Sequence, residues 1–184
     1  MEKTKSDLRK EFKIKRLNLS KSKADEKSGK IIENLVLTDA FKRARTVLIY
    51  KSINNEVSLD ALPLLDKSKG KKFAYPVCVS RTEMKAYLPG SFKKGAFGIT
   101  EPDPADSKIV PPEDIDLVIC PGTAFDDKLH RLGMGGGYYD RFLKECKNAR
   151  FFMVAFEIQH SDYIPTEESD VRMDMIITEE KIYE

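Results

Sequence analysis

Between Arg131 and Arg141 the chain reads RLGMGGGYYDR. Gly133, Gly135, Gly136 and Gly137, broken only by Met134, do not serve helix or strand stability, because ordering a glycine costs conformational entropy. Such a run lets the backbone approach a ligand closely and turn its N–H groups inward. A helix beginning at Tyr138 would add free N–H groups and the positive end of its dipole, which makes an anion site with phosphate as the usual occupant. Arg131 and Arg141 flank the run and suit phosphate oxygens. Asp140 would sit in the first turn of that helix. It either complements the dipole or, since it would repel a polyphosphate, holds a magnesium ion between them. The known phosphate loops do not fit. No Lys followed by Ser or Thr comes after Gly137, and Tyr138 stands where a dinucleotide loop has its third glycine. A plain flexible loop is one reading; the loop, arginines and Asp140 together point to Mg-nucleotide.

Other reactive side chains say less. His130 and His160 lie near no Ser or Cys in a motif, and no GxSxG elbow exists, which disfavours a serine hydrolase. Cys120 ends an apolar run and reads as a small buried hydrophobe. Glu56 follows the polar stretch KSINN, a loop at the carboxyl end of a strand, where α/β sheets bind ligands. A surface glutamate is the other reading. Residues 1–30 hold 11 Lys or Arg against 5 Asp or Glu, and residues 161–184 hold 2 against 8. These ends are either solvated charged faces or, at the N-terminus, a basic helix that meets an anion.

The elements that must carry these groups alternate along the chain. Lys5 to Leu19 reads as a helix with Leu8, Phe12 and Leu19 on one side and Lys5, Arg9, Lys13 and Arg16 beside them. A second helix starts at Ser20 or Ser22 and carries Ile31, Ile32 and Leu35 inward. Thr46 to Tyr50, Lys72 to Val77, Thr82 to Leu88, Asp116 to Cys120, Phe151 to Phe156 and Met173 to Thr178 read as strands. Helices are expected over 58–65, despite Pro63, and over 138–147. The stretch from Pro89 to Pro112 reads as loop. Continuous apolar strands such as VLIY and DLVIC imply a sheet covered on both faces. The reading is a single three-layer α/β/α domain, residues 1–184, with a largely parallel sheet.

Composition excludes several classes. The chain has 184 residues, 41% hydrophobic and 34% charged, with a net charge of +2. That balance disfavours a nucleic-acid binder, and no apolar run reaches the roughly 20 residues of a membrane span. Cys78, Cys120 and Cys146 are widely spaced and odd in number, against a disulfide framework or zinc site; a cytoplasmic protein is expected.

PGTAFD at 121–126 followed by RLGMGGGYYDR at 131–141 resembles the signature of the 5-formyltetrahydrofolate cyclo-ligase family. KSDLRK at 5–10, the Glu56 loop, FGITEP at 97–102 and VRMDMIITE at 171–179 add four matches in the family's order. The resemblance implies an α/β fold related in architecture to sugar-phosphate isomerases and CoA transferases. It implies conversion of 5-formyltetrahydrofolate to 5,10-methenyltetrahydrofolate with ATP and Mg2+; a monomer is expected. It places Lys5 and Arg9 on the nucleotide, and Arg131, Gly133, Met134, Gly135, Gly136, Gly137, Tyr138 and Tyr139 around its phosphates. Met134 to Tyr138 also border the folate, with Tyr138 between the ligands. Lys51 and Glu56 contact folate, and Asp140 and Asp174 hold magnesium. Arg131, Tyr138 and Asp140 would carry the catalysis. The chain departs from the family pattern at Leu129, where Gly is frequent, and at Ser169, where His often precedes the aspartate. A sugar-phosphate isomerase and a non-catalytic folate or nucleotide binder remain as alternatives.

Overall fold

The computed structural model describes residues 3–95 and 98–184, so Phe97 of the FGITEP match lies outside the described residues. Three helices come first: α1 (Lys5–Leu17), α2 (Lys21–Leu37) and the short α3 (Asp39–Arg43). Thr4 and Asp7 form a reciprocal capping box on α1, and the Ser20 side chain caps α2, satisfying backbone N–H groups that a helix start leaves free.

Eight strands then form one sheet. They are β1 (Thr46–Leu48), β2 (Lys72–Cys78), β3 (Met84–Leu88), β6 (Lys108–Val110), β7 (Leu117–Cys120), β10 (Arg150–Val154), β11 (Met175–Ile177) and β12 (Ile182–Tyr183). Their order is β12-β11-β10-β7-β1-β2-β3-β6. The five central strands, β11, β10, β7, β1 and β2, run parallel; at the edges β12 pairs antiparallel with β11, β3 with β2, and β6 with β3. Two ribbons stand outside it, β4 (Phe92–Lys94) with β5 (Thr100–Pro102), and β8 (Ala124–Phe125) with β9 (Arg131–Leu132). The last helix is α4 (Tyr138–Leu143).

Two apolar layers sandwich the sheet, as the continuous strands require. On one face Ile31, Leu35 and Phe41 from α2 and α3 pack with Val47, Leu117, Phe152 and Ile177. On the other, Phe142 and Leu143 from α4 pack with Leu48, Val118, Met153 and Ile176. Alternate strand residues thus feed opposite layers. Helix α1 belongs to neither: its Leu8 and Phe12 meet Ala124, Leu132 and Ile164 over the β8–β9 ribbon.

Three sequence expectations change. No α-helix forms over 58–65; the chain makes short 3-10 turns at Leu62–Leu64 and Asp66–Ser68. Pro63 would clash with the carbonyl four residues back in an α-helix, whereas it fits a first-turn position. The stretch 89–112 holds β4, β5 and β6 rather than mostly loop; three-residue strands, β4 exposed throughout, carry too little apolar alternation to be read. Helix α4 stops at Leu143, and Cys146 is reached through 3-10-type bonds from Glu145 to Phe142 and from Cys146 to Leu143.

Candidate active site

The carboxyl ends of β1 and β7 release the loops 51–57 and 121–123, and the β2–β3 hairpin turns at the same end. The glycine loop enters through the β8–β9 ribbon. Arg131, the first residue of β9, is buried; its Nη1 donates to Pro121 O at 3.1 Å and its Nη2 to Asp140 Oδ1 at 2.9 Å. Its Nε is buried with no partner, a donor waiting for an acceptor. The guanidinium also lies over the Tyr139 ring, 5.5 Å from the centroid.

Gly135 and Gly137 have φ of 103° and 65°, a region costly for residues with a Cβ. A Cβ at Gly135 would lie 3.4 Å from the Arg9 guanidinium carbon, and one at Gly137 would lie 2.6 Å from Arg141 Nη1. The loop is therefore a cradle closed by arginines. Arg9, from α1, donates from Nε to Gly133 O at 2.8 Å. Arg141 donates to Gly136 O and Thr82 O, both at 2.7 Å, and lies over the Tyr138 ring. Tyr138 in turn donates to Ser80 O at 3.2 Å, so the β2–β3 turn braces the loop. Met134 is exposed at its tip. Helix α4 has only six residues, so its dipole is weaker than the sequence suggested, and the guanidinium groups around the loop are the stronger positive charges.

Lys5 pairs with Asp170 at 2.6 Å and Glu167 at 3.0 Å. Partial burial pulls the ammonium down, but the hydrogen bonds of Asp170 and Glu167 outweigh it and its pKa rises. Burial pushes the Asp170 carboxyl up, and the Lys5 and Glu167 bonds bring it net below its ordinary value. The neighbouring Val171 N–H donates to Asp140 Oδ1 at 3.3 Å. Lys5, Asp170, Asp140 and Arg131 thus form one charged cluster beside the loop.

Asp174 is not in that cluster. Its Oδ2 accepts from Phe151 N at 2.7 Å and its Oδ1 pairs with Arg150 at 3.0 Å. Both partners open β10, so Asp174 lies at the amino end of the parallel strands, whereas Pro121, which anchors Arg131 and Asp140, follows the carboxyl end of β7. The strands between them separate the two carboxylates that the sequence paired; Asp170 stands where Asp174 was expected. VRMD and SDVR both offer an aspartate, and sequence spacing alone does not choose between them.

Both hydrogen bonds to Asp140 reach Oδ1, leaving Oδ2 for a ligand. Among the described residues no three His, Cys, Asp or Glu side chains converge as a metal centre. Magnesium does not need that many, since it takes one or two carboxylates and fills its shell with water and substrate phosphate. Asp140 and Asp170 beside a cradle of arginines fit it.

Glu56 closes the other side. Its Oε2 accepts from Ile53 N at 3.0 Å, while Oε1 is buried without a hydrogen-bond partner. Burial pushes its carboxyl above the ordinary value, outweighing the Ile53 N–H and Arg16, which pull it down. Arg16, which its spacing sets among the basic residues of α1, is 2% exposed. Lys51, on the same loop, pairs with Asp60 at 2.6 Å and lies over the Tyr75 and Phe92 rings. A cavity of about 280 Å3 opens there, between Lys51, Ile53 and Asp60 on one side and Lys94, Gly98 and Thr100 on the other. Leu129 takes a left-handed φ of 65°, the conformation a glycine would adopt freely. Its buried side chain and the bond from its N–H to Asp126 O offset the strain.

Fold and site define an α/β protein with an arginine-lined glycine cradle at the carboxyl ends of parallel strands, clasped by a basic helix. Residues 1–179 match the model of the 5-formyltetrahydrofolate cyclo-ligase family. The 5-formyltetrahydrofolate cyclo-ligase of Haemophilus influenzae is 31% identical over 171 residues, covering 89% of this chain and 91% of the relative. The solved structure of Aquifex aeolicus 5,10-methenyltetrahydrofolate synthetase is similar with a TM-score of 0.83 and 37% identity, covering 97% of this chain and 91% of that one. That of a 5,10-methenyltetrahydrofolate synthetase from Mycoplasma pneumoniae gives 0.79 and 27%, covering 95% and 98%. The chain belongs to the 5-formyltetrahydrofolate cyclo-ligase family and is an enzyme.

Proposed function

We propose that this enzyme converts 5-formyltetrahydrofolate and ATP into 5,10-methenyltetrahydrofolate, ADP and phosphate, with magnesium. The observation that carries the reading is the meeting of the arginine-lined cradle and the buried, half-satisfied Glu56 at one end of the sheet, both held by α1. The relatives' names supply the folate substrate and product.

The chemistry asks little of the protein beyond positioning. A formamide oxygen is a poor leaving group. Transfer of the γ-phosphoryl group to it gives an iminium phosphate; N10 then attacks the formyl carbon and loses its proton. Expulsion of phosphate leaves the methenyl bridge. No protein nucleophile takes part, and orientation with charge neutralisation does the work. In this proposal the loop from Gly133 to Tyr139 surrounds the phosphates, and Arg9 and the free Nε of Arg131 receive their oxygens. Lys5 exchanges Asp170 and Glu167 for phosphate, which releases Asp170. Asp140 and Asp170 hold magnesium, which neutralises phosphate charge when bound. Glu56 and Lys51 hold the folate, and Tyr138, braced on Ser80, separates the two ligands.

The test follows the methenyl product by its ultraviolet absorbance in a mixture of protein, 5-formyltetrahydrofolate, ATP and magnesium. Product that forms with ATP and not without it is expected. No product, with both ligands bound in calorimetry, would leave a binding protein; product without ATP would remove the phosphoryl step.

A further inference from the structure

Glu56 is 7% exposed, and its Oε1 receives no hydrogen bond. A buried carboxylate oxygen in that condition is costly unless an opposite charge is near or a ligand satisfies it. The charge is Arg16. Its side chain is 3% exposed, and its Nη1 lies 3.9 Å from Glu56 Oε1, an ion-pair neighbour beyond hydrogen-bond range. The hydrogen bonds of the guanidinium go elsewhere: Nε to Asn54 O at 3.0 Å and Nη1 to Gly122 O at 3.2 Å. The pair is therefore incomplete by construction. Arg16 is fixed by two carbonyls, and Glu56 keeps one oxygen without a donor.

We infer that Arg16 is a positioning residue for the folate half of the reaction, fixing the Asn54–Glu56 turn so that Glu56 Oε1 is left free for a substrate N–H. Two further observations support it. Asn54 and Asn55 both have positive φ, 49° and 60°, which needs holding in place. Arg16 holds the first through its carbonyl, and Asn55 donates back to Arg16 O at 3.2 Å and Leu19 O at 2.8 Å. Helix end and turn are thus bonded in both directions. Arg9 and Arg16 are seven residues apart, two helical turns, and so share a face of α1. The first reaches the nucleotide cradle at Gly133 O and the second the folate loop.

The other ionisable groups facing Glu56 are Tyr50, beyond β1, and Tyr139, from α4; burial pushes both phenols well above their ordinary value. Neither bears charge near neutrality, so Arg16 alone supplies charge there among these groups. Without it, the Glu56 carboxyl rises further and protonates as pH falls.

The inference rests on Glu56 being a folate contact, so Glu56→Gln is measured beside Arg16→Gln and Arg16→Lys. Calorimetry gives 5-formyltetrahydrofolate and ATP affinities between pH 6 and 8, with circular dichroism checking the fold. Arg16→Gln is expected to weaken folate binding at least tenfold, increasingly toward pH 6, with ATP affinity within about threefold of the parent. Arg16→Lys keeps charge but not the two-carbonyl bridge, and should lose about threefold with the parental pH profile. If Arg16→Gln does not fold, the lysine variant carries the test, and unchanged folate affinity in it overturns the inference. A native-like Arg16→Gln that binds folate normally, or loses folate and ATP equally, also overturns it. Unchanged folate affinity in Glu56→Gln instead overturns the reading of the site itself.

Discussion

Asp140 shows how one side chain reconciles opposite charges. Its Oδ1 is neutralised by Arg131 at 2.9 Å and by the Val171 N–H, so it tolerates a phosphate neighbour better than a free carboxylate would, while Oδ2 is available to a cation. Asp140→Ala should lower kcat by about 100-fold or more, the scale of losing one transition-state electrostatic contact. Asp170→Asn should raise the magnesium concentration for half-maximal turnover, and Asp174→Asn should leave it in place, since Asp174 is engaged by Phe151 and Arg150. A magnesium titration of turnover decides between them; the reverse pattern would restore Asp174. Gly135→Val should abolish detectable ATP binding in calorimetry. A β-branched residue at φ 103° is strained, and its first carbon would touch the Arg9 guanidinium. The glycines were legible as a loop with special backbone demands, and Gly135 and Gly137 do take positive φ. Arg16 was not: beside Lys5, Arg9 and Lys13 it has the spacing of a solvated face. Its burial comes from partners 38 and 106 residues away.

In the proposed site helix α1 joins the two halves; its polar ties are several, but its apolar packing is small. Leu8 and Phe12 pack in a cluster of five buried residues apart from the two sheet layers. Phe12→Ala should cost about 3–5 kcal/mol of docking, the range for deleting a buried aromatic. Much of that cost should appear as local opening, because the sheet layers do not depend on it. Hydrogen exchange of this variant should show α1 amides exchanging early while β7 and β10 stay protected; uniform loss of protection would place α1 in the main cooperative unit. At this scale the sequence was readable where apolar period and length agreed, as in α2, β1, β7 and β10. It was unreadable where strands are two or three residues long. The two-residue strands β8 and β9 carry no periodic signal, yet β9 holds Arg131 beside Asp140.

Across the whole molecule, the buried acids of high pKa set an alkaline limit. Burial pushes the Cys120 and Cys146 thiols and the Tyr75 phenol up to about 12. Above pH 9 the unfolded chain releases thiol protons that the folded chain retains, so stability falls as pH rises from 9 toward 12. The urea midpoint should therefore drop steadily above pH 9, with a shallower slope in Cys120→Ala. A flat profile to pH 11 would mean that these thiols are not held in their neutral form. Below pH 9 Cys120 and Cys146 should resist thiol reagents until the chain unfolds.

The claim on which the rest depends is that the formyl oxygen leaves as phosphate from a site that only positions and neutralises. The most direct measurement gives the enzyme 5-formyltetrahydrofolate carrying 18O in the formyl group, with unlabelled ATP and magnesium, and analyses the products by mass spectrometry. One 18O atom in each inorganic phosphate released is expected. Label recovered in water, with unlabelled phosphate, would contradict it.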